Sequence, residues 1–368
     1  MIDPQEFNPS RLRLARKRRG LTKSKLAAKI GVEPRSVSAY ENGEFRPDAE
    51  NIDQLARNLG FPPEFFYGAD LDEPTPDCAS FRALTRMTAG QRDSALGAGA
   101  IALWLNSWIE QRFNLPQAAL PDLSRERDPE AAAEELRRAW GQGELPIKNM
   151  VHLLEAKGVR VFSLAVDAVE VDAFSMWRQN TPFIFLNTTK SAEHGRFDCA
   201  HELGHLVIHR HGAPQGQDAE REANAFASAF LMPRSTVLAV APRFVTVDQL
   251  IKLKKYWNVS VAALAYRMHT LDVISDWQYR NVVIELAQRG YRKSEPDTCP
   301  REISQVFAKV AASLREEGIS KDQIAENLSV HVQDIEQLVF GLQLTGVSSE
   351  WSRNRGTQKP RPKLHVVK

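Results

Sequence analysis

Apolar residues recur three and four apart over most of the chain, the period of an amphipathic helix, and only one stretch departs from it. Residues 9–67 carry four or five short helical patterns with tight connections. Helices are expected over Arg11–Arg18, Lys23–Ile30 and Glu33–Glu41. Gly20 terminates the first, Thr22 caps the second, Gly31 supplies the turn and Asn42-Gly43 stops the third. Leu14, Leu21, Leu26, Ala27, Ile30, Val37, Tyr40, Ile52 and Leu55 are the expected small core. Residues 68–80, GADLDEPTPDCAS, are acidic, proline-bearing and poor in apolar side chains, the composition of a linker. From Phe81 to about Lys157 the pattern is helical again, with an apolar face around Ile101, Leu105 and Ile109. Asp128 and Pro129 begin a further helix, Pro129–Trp140.

Strand signals follow in Val159–Leu164, Ala173–Trp177 and Phe183–Leu186, short β-branched or aromatic runs parted by Asp, Gly, Pro and Asn. Phe183–Leu186 is expected at a sheet edge, where an extended peptide could add as another strand. Helices are expected from about Ala192 to His209 and from about Asp218 to Leu231. Helical patterns then continue to Leu338, broken at Glu295–Pro300. Ile319–Phe340 faintly echoes the N-terminal module, and the residues from Ser348 onward read as a disordered tail.

Composition narrows the class. A chain of 368 residues with 43% apolar and 26% charged residues fits a globular protein of two or three domains. It has no apolar run long enough to cross a membrane and no apolar signal-peptide core at its start, so a cytoplasmic location is expected. Cys78, Cys199 and Cys299 are too scattered for a disulfide framework. Residues 1–67 hold twelve Lys/Arg against nine Asp/Glu, and residues 348–368 six against one, leaving an acidic middle. A polyanion would therefore meet the ends.

The most specific motif is His201-Glu202-Leu203-Gly204-His205. Residues four apart on a helix share a face, so both imidazoles can grip one ion and leave a position open to water. Glu202 lies between them, placed to accept that water's proton as it attacks a carbonyl. The following helix offers Glu220 and Asn224, also four apart. One of the two can ligate the ion while the other hydrogen-bonds a ligating histidine. Glu222 points away from that face, and His211 has the spacing of a third histidine ligand but lacks the glycine such a turn needs, Ile208 standing there instead.

The helix spacing over residues 9–67 is that of a helix-turn-helix. Its reading helix would present Pro34, Arg35, Ser38 and Ala39 to the major groove, with Arg35 able to hold a guanine bidentately. Lys23, Asn42 and Arg46 would hold phosphates. Arg16 and Glu41 are expected to pair with each other.

The run FNPSRLRLARKRRGLTKSKLAAKIGVEPRSVSAYENGEFRPD resembles the XRE, or lambda-repressor-type, helix-turn-helix. PFIFLN, RFDCAHELGHLVIHR and AEREANAFASAFLMP resemble the ImmA/IrrE family of zinc metallopeptidase domains. The resemblance implies a mainly α chain with a small β-sheet (α+β). A lambda-repressor-like DNA-binding domain (9–67) and a linker (68–80) would precede a zincin-like metallopeptidase domain with its preceding helices (81–275), a helical C-terminal region (276–345) and a disordered basic tail (346–368). It implies Zn²⁺, or Mn²⁺, held by His201, His205 and Glu220, with Glu202 as general base. It further implies a regulator that binds a double-stranded DNA operator as a homodimer and cleaves a partner repressor protein in a stress or mobile-element response. The alternatives are a non-enzymatic regulator with a structural or sensory metal site and an antitoxin-like or phage-defence binding protein.

Overall fold

The computed structural model describes residues 6–75, 80–81, 88–164, 173–211 and 216–340. Cys78 and the expected tail 346–368 lie outside the described residues. Four helices open the chain: α1 (Pro9–Arg18), α2 (Lys23–Ile30), α3 (Pro34–Asn42) and α4 (Ala49–Leu59), followed by a 3-10 turn at Pro63–Tyr67. Their ends follow from local chemistry. Thr22 Oγ1 accepts from Lys25 N, Asp48 caps α4, and Gly31, Gly43 and Gly60 take the left-handed conformation that lets each helix stop. The Arg16 guanidinium pairs with Glu41, 2.5 and 3.0 Å from its two carboxylate oxygens, and both side chains are buried.

The segment after this module is pinned rather than free. Asn8 donates to Gly68 O and Asp70 Oδ1, at 2.8 and 2.9 Å, and Arg11 donates to Ala69 O at 2.6 Å. The chain then enters β1 (Ser80–Phe81), α5 (Ala89–Glu110), α6 (Pro129–Ala139), α7 (Met150–Ala156), β2 (Arg160–Leu164), β3 (Ala173–Arg178) and β4 (Thr181–Asn187). Sheet order is β1-β3-β4-β2, with β2 and β4 parallel and the other neighbours antiparallel. The expected edge position of Phe183–Leu186 is therefore corrected: β4 is an inner strand, paired on both sides. The run PFIFL is apolar on both faces, as a strand covered on both faces has to be.

The sheet divides two cores. Phe162, Phe174, Phe183 and Phe185 stack on one face and join α5, the N-terminal module and later helices in one cluster. Ile184, Leu186, Val161 and Ala173 line the other, against α8 (Ala192–Ile208) and α9 (Gln217–Leu231). Gly204 lets α8 and α9 approach, since a Cβ there would stand 3.0 Å from Phe226 and 3.4 Å from the Ala223 backbone. Helices α10 (Arg234–Val240), α11 (Val247–Trp257), α12 (Val261–Thr270) and α13 (Asp276–Gln288) follow. They are succeeded by α14 (Gln305–Glu316), α15 (Lys321–Asn327) and α16 (Val332–Leu338). No described helix is long and apolar enough to cross a membrane.

Candidate metal centre and DNA-reading face

Helix α8 starts at the Ser191 cap and carries His201, Glu202 and His205 into the interior, 0%, 0% and 3% exposed. Helix α9 runs beside it and brings Glu220 to the same point. His201 Nε2 and His205 Nε2 stand 3.1 Å apart, and each is 3.4 Å from a carboxylate oxygen of Glu220. A tetrahedral site with bonds of about 2.0–2.1 Å has edges of about 3.3 Å. Two imidazole lone pairs and a carboxylate thus converge at the spacing one divalent ion requires, and the donor set fits zinc. Among the described residues this is the one His/Cys/Asp/Glu cluster with ligand atoms so convergent.

The far sides of both rings are held. Asn224 Oδ1 lies 3.2 Å from His201 Nδ1, so a proton on Nδ1 keeps the lone pair on Nε2, the ligating nitrogen. His205 Nδ1 lies 3.0 Å from His209 Nδ1, and His209 Nε2 lies 2.8 Å from Glu222 Oε2. One set of tautomers satisfies the whole relay: His205 Nδ1–H donates to His209, and His209 Nε2–H donates to Glu222. Burial pushes the His205 imidazole down to about 4, which keeps it neutral and ready to ligate. Burial alone would raise the Glu220 carboxyl, but its contact with the His201 and His205 imidazoles outweighs burial and holds it well below the usual carboxylate range.

Glu202 turns toward the sheet. Ser175 Oγ on β3 donates to Glu202 Oε2 at 2.6 Å, which fixes the orientation of the buried carboxylate. Trp177, two residues on, donates its indole N–H to Leu206 O at 3.0 Å and locks β3 onto the helix. Ser175, His209 and Glu222 were not assigned these roles from sequence. His209 sits four residues past His205 on the same face, a signal that could have found it; Ser175 carried none. The alternative third ligand, His211, pairs instead with Asp122 at 2.5 Å. Asn224, the partner of His201, also lines a cavity of about 960 Å³, together with Phe197, Ser228, Ala263, Tyr266 and Arg267 among others; the three ligand candidates and Glu202 are not in its wall.

On the N-terminal module, Pro34 and Arg35 are exposed at the start of α3, and Ser38 is half-buried with Lys23 Nζ 3.2 Å from its hydroxyl. Ala39 is nearly covered at 8% exposed. Asn42 and Arg46 are exposed, bonded to Glu44 and Glu6 respectively.

The family model for a helix-turn-helix matches residues 12–66. That for the IrrE N-terminal-like domain, of peptidase family M78, matches residues 154–269 and spans the whole ligand cluster. No curated protein matches the chain. The chain therefore joins an XRE-type helix-turn-helix domain to an ImmA/IrrE-type metallopeptidase domain in a single polypeptide.

Proposed function

We propose that this chain is a DNA-bound regulator with zinc-dependent endopeptidase activity, which cuts a partner DNA-binding repressor to change gene expression. The observation that carries the reading is the convergence of His201, His205 and Glu220, on a helix whose intervening Glu202 is buried and held by Ser175. When bound, zinc, or manganese in its place, supplies Lewis acidity that polarises a peptide carbonyl and acidifies water. Glu202 accepts the proton from the attacking water and passes it to the departing amine. Ser175 keeps Glu202 aimed, and the relays through Asn224 and through His209 to Glu222 keep both imidazoles in the ligating tautomer. Three protein ligands leave one corner of a tetrahedron for the reacting oxygen, whereas a structural site usually takes four.

A polypeptide substrate would use the cavity between α8, α9 and α12, whose wall includes Asn224, the partner of His201. Phe197, Ala263 and Tyr266 offer apolar surface to a side chain, while Arg267, paired with Glu130, shapes the wall. Residues 9–67 would bring this site to an operator as a homodimer, with Arg35 on base edges and Lys23, Asn42 and Arg46 on phosphates.

The test incubates zinc-loaded full-length protein with the repressor encoded beside it. Wild type should yield defined fragments, and Glu202→Gln should retain metal but lose at least about 10²-fold in rate. Equal cleavage by the variant would reject Glu202 as base. Absence of cleavage by wild type, with gene control insensitive to Glu202→Gln, would favour a non-enzymatic regulator.

A further inference from the structure

The faint echo of the N-terminal module near the end of the chain has a three-dimensional counterpart. Shifting the first module by 298 positions lays α1, α2 and α3 over α14, α15 and α16. Thr22 and Ser320 occupy the same cap, each accepting from the backbone N–H three residues on. Gly31 and Ser329 occupy the same turn, both left-handed at φ +74° and +48°. The backbone bonds repeat in register: Leu21 N to Arg16 O as Ile319 N to Leu314 O, and Val32 N to Ala27 O as Val330 N to Ala325 O. Leu26, Ala27 and Val37 in one core become Ile324, Ala325 and Ile335 in the other, all buried. Even the lysine crossing to the third helix is kept, Lys23 reaching Ser38 and Lys321 reaching Glu336 at 3.0 Å.

The two modules differ where DNA would be read. The positions of Arg35, Ser38 and Ala39 are taken by Gln333, Glu336 and Gln337, and α16 carries Asp334 and Glu336 with no Lys or Arg. Such a helix repels phosphates instead of releasing their counterions. It is also already engaged. Asp334, 5% exposed, receives Arg19 through both carboxylate oxygens, at 3.0 and 3.3 Å, and Gln337 accepts from Arg18 at 3.4 Å. Arg19 in turn donates to Leu59 O and Gly60 O and lies over the Phe61 ring, so it is rooted in the DNA-reading module. On its other side, α16 is tied to β2, with Ser163 Oγ donating to Gln337 O and Phe340 N donating to Ser163 Oγ.

We infer that residues 305–340 are a second helix-turn-helix module whose reading helix, α16, is an interaction surface for this chain's own DNA-reading module and not for DNA. It seats that module against the sheet of the metallopeptidase domain and fixes its orientation there. The inference is independent of whether the metal site cleaves peptides.

Full-length, metal-loaded protein tests it in two arms. In the first, hydrogen exchange is followed at the amides of Arg19, Gly20 and Leu21 in wild type, Asp334→Asn, Arg19→Gln and the double variant. Each single change should speed exchange about tenfold, and the double should be no faster than the faster single. Unchanged exchange in Asp334→Asn, or additive effects in the double, would overturn the docking role. In the second arm, affinity for a 30-base-pair duplex of arbitrary sequence is measured across salt concentrations. Gln333→Ala should stay within twofold of wild type with the same salt slope, while Lys23→Ala should weaken binding and flatten that slope by about one. A loss for Gln333→Ala comparable with Lys23→Ala would make α16 a DNA reader and overturn the inference.

Discussion

The metal cleft and the DNA-reading face are built on opposite plans. At the candidate metal centre His201, Glu202 and His205 are buried and held from behind: His201 by Asn224, His205 by His209 and Glu222, Glu202 by Ser175. On the reading face Pro34 and Arg35 stand exposed, and Asn42 and Arg46 hold only surface partners that DNA can displace. The difference reflects what each surface needs. Hydrolysis requires groups fixed before the substrate arrives, because reorganisation at the moment of reaction raises the barrier. Duplex binding draws on charge that is released from water and counterions at contact, and it tolerates mobile side chains until then.

If the two plans are separate, damage to one should spare the other. Arg35→Ala should cost the largest single effect on the DNA side, about 1–3 kcal/mol against the best operator sequence. Metal stoichiometry should not change, and fluorescence anisotropy beside elemental analysis reads both. A loss of metal in Arg35→Ala would show the regions coupled through the fold. His209→Ala and Asn224→Ala remove the braces without touching a ligand, and each should weaken zinc affinity by about 10- to 100-fold in competition with a chelator. Their duplex affinity should stay at the wild-type value. Ser175→Ala is expected to be the mildest, lowering kcat by about fivefold, equivalent to about 1 kcal/mol, with KM and metal affinity unchanged. A change in metal affinity instead would mean that Ser175 supports the ligand helix and not Glu202.

Much of this architecture was legible beforehand, and the reason lies in helix geometry. His201, His205, Glu220 and Asn224 follow from a four-residue spacing, which fixes a face whatever surrounds the helix. Thr22, Gly31 and Gly43 mark helix ends for reasons internal to the backbone, and the helices stop where those residues say. Contacts between distant segments were less readable. Ser175 meets Glu202 only because β3 crosses α8, and nothing local to AFSMW announces it. Phe183–Leu186 was expected at an edge, yet Arg160–Leu164 pairs in parallel on the side away from β3 and leaves β4 inside the sheet. The acidic stretch after Tyr67 reads as a spacer by composition, while Asn8, Ser10 and Arg11 supply donors that hold it down. The echo in Ile319–Phe340 was faint because few identities persist; the backbone bonds and the shared left-handed turn preserve what the side chains have lost.

The account rests on one divalent ion held by two imidazoles and one carboxylate, with a coordination position left over. X-ray absorption spectroscopy on purified, zinc-reconstituted full-length protein measures that directly. The account predicts one zinc per chain, two imidazole nitrogens and two oxygens at about 2.0–2.1 Å, with one imidazole contribution lost in His205→Ala. Substoichiometric zinc, sulfur in the first shell from Cys199 or Cys299, or a spectrum unchanged in His205→Ala would contradict it.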